Sequence, residues 1–323
     1  MSNIHTDLAI ELREINKTEG SEIPGVIVKE SQEDNIKITV VDVTSEEGER
    51  IMGKAIGRYI TIDLPKFTRY DRQVIEAVED IMSKQLLSLL KIQDGNTVLV
   101  VGLGNWNITP DSLGPKVISK LMVTRHLKQL VPDALDEGIR PVCAVAPGVL
   151  GLTGIETSEI IKGVVEKIKP DLVICIDALA SRKLDRVNST IQISNTGISP
   201  GSGVGNKRME ISSKTLGVPV ISIGVPTVVD AATIANDTID LMIDEMIKKA
   251  KKGTEFYSMI KSVDKNEKQA LIQEILNPFE GNLMVTPKEV DTVIESISKI
   301  IANGINLALH KGIDLEYIND FLN

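Results

Sequence analysis

Two aspartates stand out by their settings. Asp111 lies in VGLGNWNITPDSLGP, residues 101–115, just beyond a short apolar run. Asp177 closes the apolar stretch of DLVICIDALASR, residues 171–182, so the strand predicted there ends on a carboxylate. A carboxyl at the inner end of a buried strand is desolvated, which raises its pKa. In open parallel sheets, ligands gather at the carboxyl ends of the strands. Two acids at adjacent strand ends can share one proton, one activating water while the other donates to a carbonyl oxygen. Structural roles compete with this chemistry. Asp111 also suits a helix N-cap or first turn. Asp177 also suits a cap of the next helix or an ion pair with Arg182.

Other segments invite chemistry and narrow it. NTGISPGSGVGNKR, residues 195–208, is either a flexible loop or one that closes on a ligand, with Lys207 and Arg208 supplying charge. Asp230, in TVVDAAT, is expected at a helix start. Gly102 and Gly104 fit the start of G-x-G-x-x-G, but Asn107 stands in the third glycine's place and no GK[ST] follows. A dinucleotide site and a P-loop are therefore disfavoured, and with them a non-catalytic nucleotide-binding module. The two glycines read instead as a tight strand exit. The chain has only His5, His126 and His310 and no CxxC pair, which opposes a histidine-rich metal site. The rival enzyme reading is a metal-dependent peptidase with Asp111, Asp177 and His126 as ligands. Otherwise neither metal nor cofactor is expected. Cys143 and Cys175 sit in β-like runs and read as buried free thiols.

The elements that must position these acids follow from periodicity. Aromatics are 3% of the chain, so aliphatic residues must fill the core. Residues 1–35 are polar and read as poorly packed. KITVVDVT (37–44) and RYITIDL (58–64) read as a hairpin near the N-terminus. Helices are expected over 70–91, 111–131, 156–169, 229–251 and 287–310, the last with Thr286 as N-cap. Strands are expected at 96–104, 141–146, 171–176, 191–194 and 218–224, and 252–282 reads as irregular. Alternation of strands with helices predicts an α/β fold, a mostly parallel twisted sheet flanked by helices. Net charge is −9 with no long basic block, so nucleic acid is not the expected ligand. No apolar run approaches the roughly 20 residues of a membrane span. The N-terminal MSNIHTDLAIELREINKTEG has no basic-then-apolar signal pattern, so a cytoplasmic protein is expected.

Several long stretches resemble the germination protease family of spore-forming bacteria. They are VGLGNWNITPDSLGP, LMVTRHL, APGVLGLTGIETSEIIKGV, IDALASR, VNSTIQISNTGISPGSGVGNKR, GVPVISIGVPTVVDA and NLMVTPKEVD, spread from about residue 6 to 310. The resemblance implies an atypical aspartic endopeptidase with a fold similar to hydrogenase maturation endopeptidases. Its catalytic aspartates fall on Asp111 and Asp177. It implies small acid-soluble spore proteins as substrates, a homotetramer, and a setting in the developing forespore and spore core. It also implies a zymogen that removes its own N-terminal segment, cutting after an acid and before a hydrophobic residue followed by alanine. Asp7, Leu8 and Ala9 supply that order, which divides the chain into a propeptide, 1–7, and one peptidase domain, 8–323. Ile4 departs from the family's preference for an acid four residues before the cut, and the region near 252–270 is shorter than in longer members. An acid preference calls for a partner for the desolvated carboxylate. Arg182, Lys183, Lys207 and Arg208 are the candidates for a cationic pocket.

Overall fold

A computed structural model describes residues 6–17, 22–65, 71–131, 136, 138–205, 208–276 and 283–322. Lys207 and residues 1–5 of the expected propeptide lie outside the described residues. Among the described residues nine strands form one sheet: β1 (Val26–Glu33), β2 (Ile36–Val43), β3 (Gly57–Asp63), β4 (Val98–Gly102), β5 (Val142–Val145), β6 (Leu172–Ser181), β7 (Thr190–Ser194), β8 (Val220–Asp230) and β9 (Met284–Val285). Their order is β1-β2-β3-β7-β8-β6-β4-β5, with β9 beside β8.

The fold is α/β, but the expected mostly parallel sheet is corrected to a mixed one. Neighbours among β8, β6, β4 and β5 are parallel. The pairings β1–β2, β2–β3, β3–β7, β7–β8 and β8–β9 are antiparallel. One cause is the connection 182–189 between β6 and β7. It holds a single 3-10 turn, Leu184–Arg186. A parallel return needs a crossover of a dozen or more residues.

In the parallel half both faces are covered, so the strands are continuous apolar runs. Val98 and Val100 of β4 face the helices Arg72–Leu89 and Val290–Leu309, while Leu99 and Val101 face the helix Thr157–Ile168. The helix Arg72–Leu89 begins where the Asp71 carboxylate accepts the backbone N–H groups of Gln73 and Val74. Cys175 is buried in this half, but Cys143 is only half-buried.

The N-terminal third departs most from expectation. Residues expected to be poorly packed contain the helix Ala9–Asn16 and β1. β1 and β2 make a tight hairpin through Asp34 and Asn35 at φ 47° and 63°. Asp and Asn tolerate that left-handed region better than other residues with a Cβ. β2 and β3 do pair, though the helix Glu46–Met52 separates them. The helix expected over 111–131 is broken into a 3-10 turn, Thr109–Asp111, and helices Leu113–Ile118 and Arg125–Leu130. The segment read as irregular carries helices Glu255–Lys261 and Lys265–Leu276. The tail helix starts at Val290 with Glu289, not Thr286, as N-cap; Thr286 donates to the Thr227 carbonyl instead. A further helix, Leu315–Leu322, follows it. Among the described residues no helix is long and apolar enough to cross a membrane.

Candidate active site

The site grows from the carboxyl ends of β4 and β6. Gly102, the last residue of β4, pairs with Ile176, so Asp177 is the first residue of β6 without a partner on β4. β6 does not end there, as expected, but continues to Ser181 with a bulge between Leu179 and Ala180. Asp177 is therefore held mid-strand, against Gly224 of β8, and is 5% exposed. Its Oδ1 accepts from the Ala178 backbone N–H at 3.0 Å. It neither caps a helix nor pairs with Arg182, whose guanidinium binds Asp237 at 2.7 Å.

Asp111 arrives on the loop that leaves β4. Its Oδ2 accepts from the Asn105 backbone N–H at 2.8 Å, and it caps no helix. Gly104 takes φ +110°, and a Cβ there would collide with the Asp111 carbonyl oxygen. The glycine needed for the strand exit thus also lets Asp111 fold back over it.

Both acids line one cavity of about 530 Å³. Burial pushes the Asp111 carboxyl up to about 6, against the pull of the Asn105 N–H. Burial also raises Asp177 well above the carboxylate range, and the charges of Asp111 and Asp7 raise it further, against the Ala178 N–H. Two close carboxyls of this kind titrate as a pair and hold a proton at pH values where isolated acids have lost theirs. The arrangement can hold one neutral and one ionised carboxyl, the requirement for coupled acid and base work on a bound water.

The third aspartate of the cavity is Asp7, which sequence reasoning placed at a cleavage site but not inside the cleft. Its backbone N–H donates to the Ala180 carbonyl at 2.9 Å. Its carboxylate accepts from the Ala180 N–H at 2.9 Å and from Ser202 Oγ at 2.6 Å. Leu8 beside it is 0% exposed, packed with Ile10 and Leu179. Glu11 fastens the segment: its carboxylate accepts the backbone N–H groups of Arg182 and Lys183, each at 2.8 Å, and the Thr6 hydroxyl.

The expected cationic pocket is not assembled from its described candidates. Arg182 is held by Asp237, and the Lys183 ammonium by Glu14 at 2.6 Å. Arg208 does line the cavity, with its guanidinium 3.6 Å from Glu156. The glycine-rich loop serves as a cavity wall through Pro200, Gly201, Gly203 and Val204. His126 is exposed on the helix Arg125–Leu130 and is not a lining residue. Among the described residues no group of three or more His, Cys, Asp or Glu is placed to hold a metal, so the ligand set of the metal-dependent reading is not brought together. Sequence reasoning missed Lys54 and Gln192, which hold the Asp7 carbonyl. Neither carried a signal, because only the tertiary fold brings them to residue 7.

The family model described as germination protease matches residues 4–255 and 243–322. A germination protease of Clostridium tetani is 62% identical over 322 residues, covering 99% of this chain and 100% of the relative. One of Clostridium perfringens (strain 13) is 61% identical over 325 residues, covering 100% of both chains. One of Bacillus velezensis is 47% identical over 345 residues, covering 95% of this chain and 94% of the relative. With similarity that runs the length of the chain and through both acid-bearing segments, this protein belongs to the germination protease family and is a protease.

Proposed function

We propose that the protein is an aspartic endopeptidase that opens the digestion of small acid-soluble spore proteins during germination, with Asp111 and Asp177 as its catalytic pair. The observation that carries this reading is the meeting of the two carboxyls in one cavity, both raised in pKa by burial. The ionised member takes a proton from water as its oxygen attacks the carbonyl carbon. The protonated member donates to the carbonyl oxygen, and on collapse of the tetrahedral intermediate it takes that proton back while the other carboxyl passes the proton from water to the departing amine. Cutting is proposed after Glu or Asp and before a hydrophobic residue.

The same reading makes residues 1–7 a propeptide, released by a cut between Asp7 and Leu8, and 8–323 the mature peptidase in the forespore and spore core. Burial of Leu8 and Asp7 in and beside the cavity supports it. Assembly as a homotetramer is part of the proposal. Leu241, Met242, Met246, Phe256 and Met259 expose an apolar face of the kind oligomers cover.

The test compares the wild-type chain with Asp111→Asn and Asp177→Asn on a purified small acid-soluble spore protein, with cut sites read by mass spectrometry. Wild type should cut after acidic residues, and each variant should lose at least about 1,000-fold in rate, within the range of general acid–base catalysis. A variant near the wild-type rate removes its aspartate from the mechanism.

A further inference from the structure

Asp7 is bound on every polar face. Besides the two donors on its carboxylate, its carbonyl oxygen accepts from Lys54 Nζ at 2.8 Å and from Gln192 Nε2 at 3.2 Å. The same Gln192 amide uses its Oε1 to accept from the Ala9 N–H at 2.7 Å. One side chain therefore grips the backbone on both sides of Leu8, which is extended at φ −84° and ψ 123°. Extended backbone read by hydrogen bonds, with alternate side chains sorted by pockets, is a general mode of peptide recognition. Here the first pocket holds a carboxylate and the second a large apolar side chain.

The first pocket has a defined shape. Gly203 forms its wall, and a Cβ at that position would collide with the Asp7 carboxylate and with the Ala180 side chain. The groups that touch the carboxylate are neutral: one backbone N–H and one hydroxyl. Charge compensation comes from Lys54, bound to the carbonyl of the same residue. Burial lowers the Lys54 pKa, and the Asp7 charge opposes that shift.

We propose that Ala180 N–H, Ser202 and Gly203 form the subsite for the acidic residue preceding the scissile bond, and that Lys54 and Gln192 position that residue's carbonyl. The chain's own Asp7 is its first occupant, and peptides carrying an acid followed by a large apolar residue are its later ones. This rests on the protease reading above and replaces the cationic pocket with neutral donors. Ser202 sets side-chain specificity, whereas Lys54 acts on any residue seated there.

The experiment follows self-cleavage of the full chain by mass spectrometry, alongside digestion of a spore protein in trans. Wild type, Asp7→Ala, Ser202→Ala, Ser202→Thr, Lys54→Met, Asp111→Asn and the two double variants that join Asp7→Ala to Ser202→Ala or Lys54→Met are compared. Losing one hydrogen bond to a charged group predicts a roughly 10- to 100-fold slower cut after residue 7 for Ser202→Ala. Asp7→Ala should slow it at least as much. The double variant Asp7→Ala/Ser202→Ala should be no slower than Asp7→Ala alone, because the carboxylate is then already absent. Lys54→Met should slow the wild-type chain and the Asp7→Ala chain by the same factor. Ser202→Thr, which keeps a hydroxyl, should restore part of the rate, a result that a general packing defect does not give. Independent, multiplying effects of Asp7→Ala and Ser202→Ala would overturn the subsite. So would a wild type that digests protein in trans yet leaves its own bond uncut, with the protease reading intact. If Asp111→Asn cuts at the wild-type rate, the catalytic pair falls instead, and the coupling between Asp7 and Ser202 still decides the subsite. A chain inert both in cis and in trans would overturn both.

Discussion

In the parallel half of the sheet, β4 is buried along its whole length, β6 nearly so, and each delivers an acid beyond or within its carboxyl end. In the antiparallel half, β1 is largely exposed, β2 carries buried residues on both faces, β7 is buried throughout, and the polar side chains that hold the Asp7 carbonyl are Gln192 of β7 and Lys54 ahead of β3. The N-terminal segment lies across the junction. Its residue 7 receives hydrogen bonds from β6 on one side and from Lys54 and Gln192 on the other. The contrast teaches a division of labour. A strand buried on both faces is where a carboxyl is desolvated enough to hold a proton near neutral pH. The antiparallel half accommodates a buried glutamine and a lysine because their polar ends are satisfied by the backbone of the N-terminal segment.

The largest break in that comparison is expected from the acids themselves, through the loss of at least about 1,000-fold for Asp111→Asn or Asp177→Asn described above. Next comes the pH profile. With Asp111 raised to about 6 and Asp177 well above the carboxylate range, kcat/KM should rise through about pH 6 as the first proton leaves the pair, and fall at higher pH as the second does. A profile already flat from pH 4 upward would separate the two carboxyls.

Smaller effects fall on stability. Glu11→Ala strips the partner from the N–H groups of Arg182 and Lys183, so urea unfolding should show a loss of about 2–4 kcal/mol. No change would mean the N-terminal segment is not fastened to the end of β6. Asp111→Asn should act in the opposite direction. A carboxyl raised in the fold contributes stability below its unfolded pKa of 3.8 that is lost as pH climbs through about 6. The variant should therefore be more stable than wild type by about 1–3 kcal/mol at pH 8, with the difference vanishing near pH 4. Least of all, Lys183→Ala should change the preference for an acid before the cut by less than about 3-fold, because its ammonium pairs with Glu14 near the surface. A larger change would return the acid pocket to the cationic residues.

What was legible in the sequence tracks local physics. Apolar runs bounded by turn residues identified β4, β5, β6 and β8, and helical periodicity identified Arg72–Leu89, Thr157–Ile168 and Ala231–Lys249. Asp230 was readable as a helix cap, and it accepts the Thr233 N–H at 2.8 Å. β1 was not legible. Its residues VIVKESQE are mostly exposed and polar, and only pairing with β2 makes them a strand. The expected ends of β6 and β8 fall too early, because Asp177 interrupts one apolar run and Gly224 and Pro226 interrupt the other, while the ladder between them runs on to Ser181 and Val229.

Residue type and spacing alone place two acids after or at the end of buried apolar runs, and the family resemblance marks Asp7, Leu8 and Ala9 as the order expected at a cut. Those are properties of short stretches, fixed by residue type and spacing. It takes the folded chain to bring Asp7 into one cavity with Asp111 and Asp177, to set neutral donors on its carboxylate, and to pair Arg182 and Lys183 with other acids. Each of these depends on which segments far apart in the chain meet in the folded protein. Local propensity carries no information about such meetings, whereas packing and hydrogen-bond satisfaction select them.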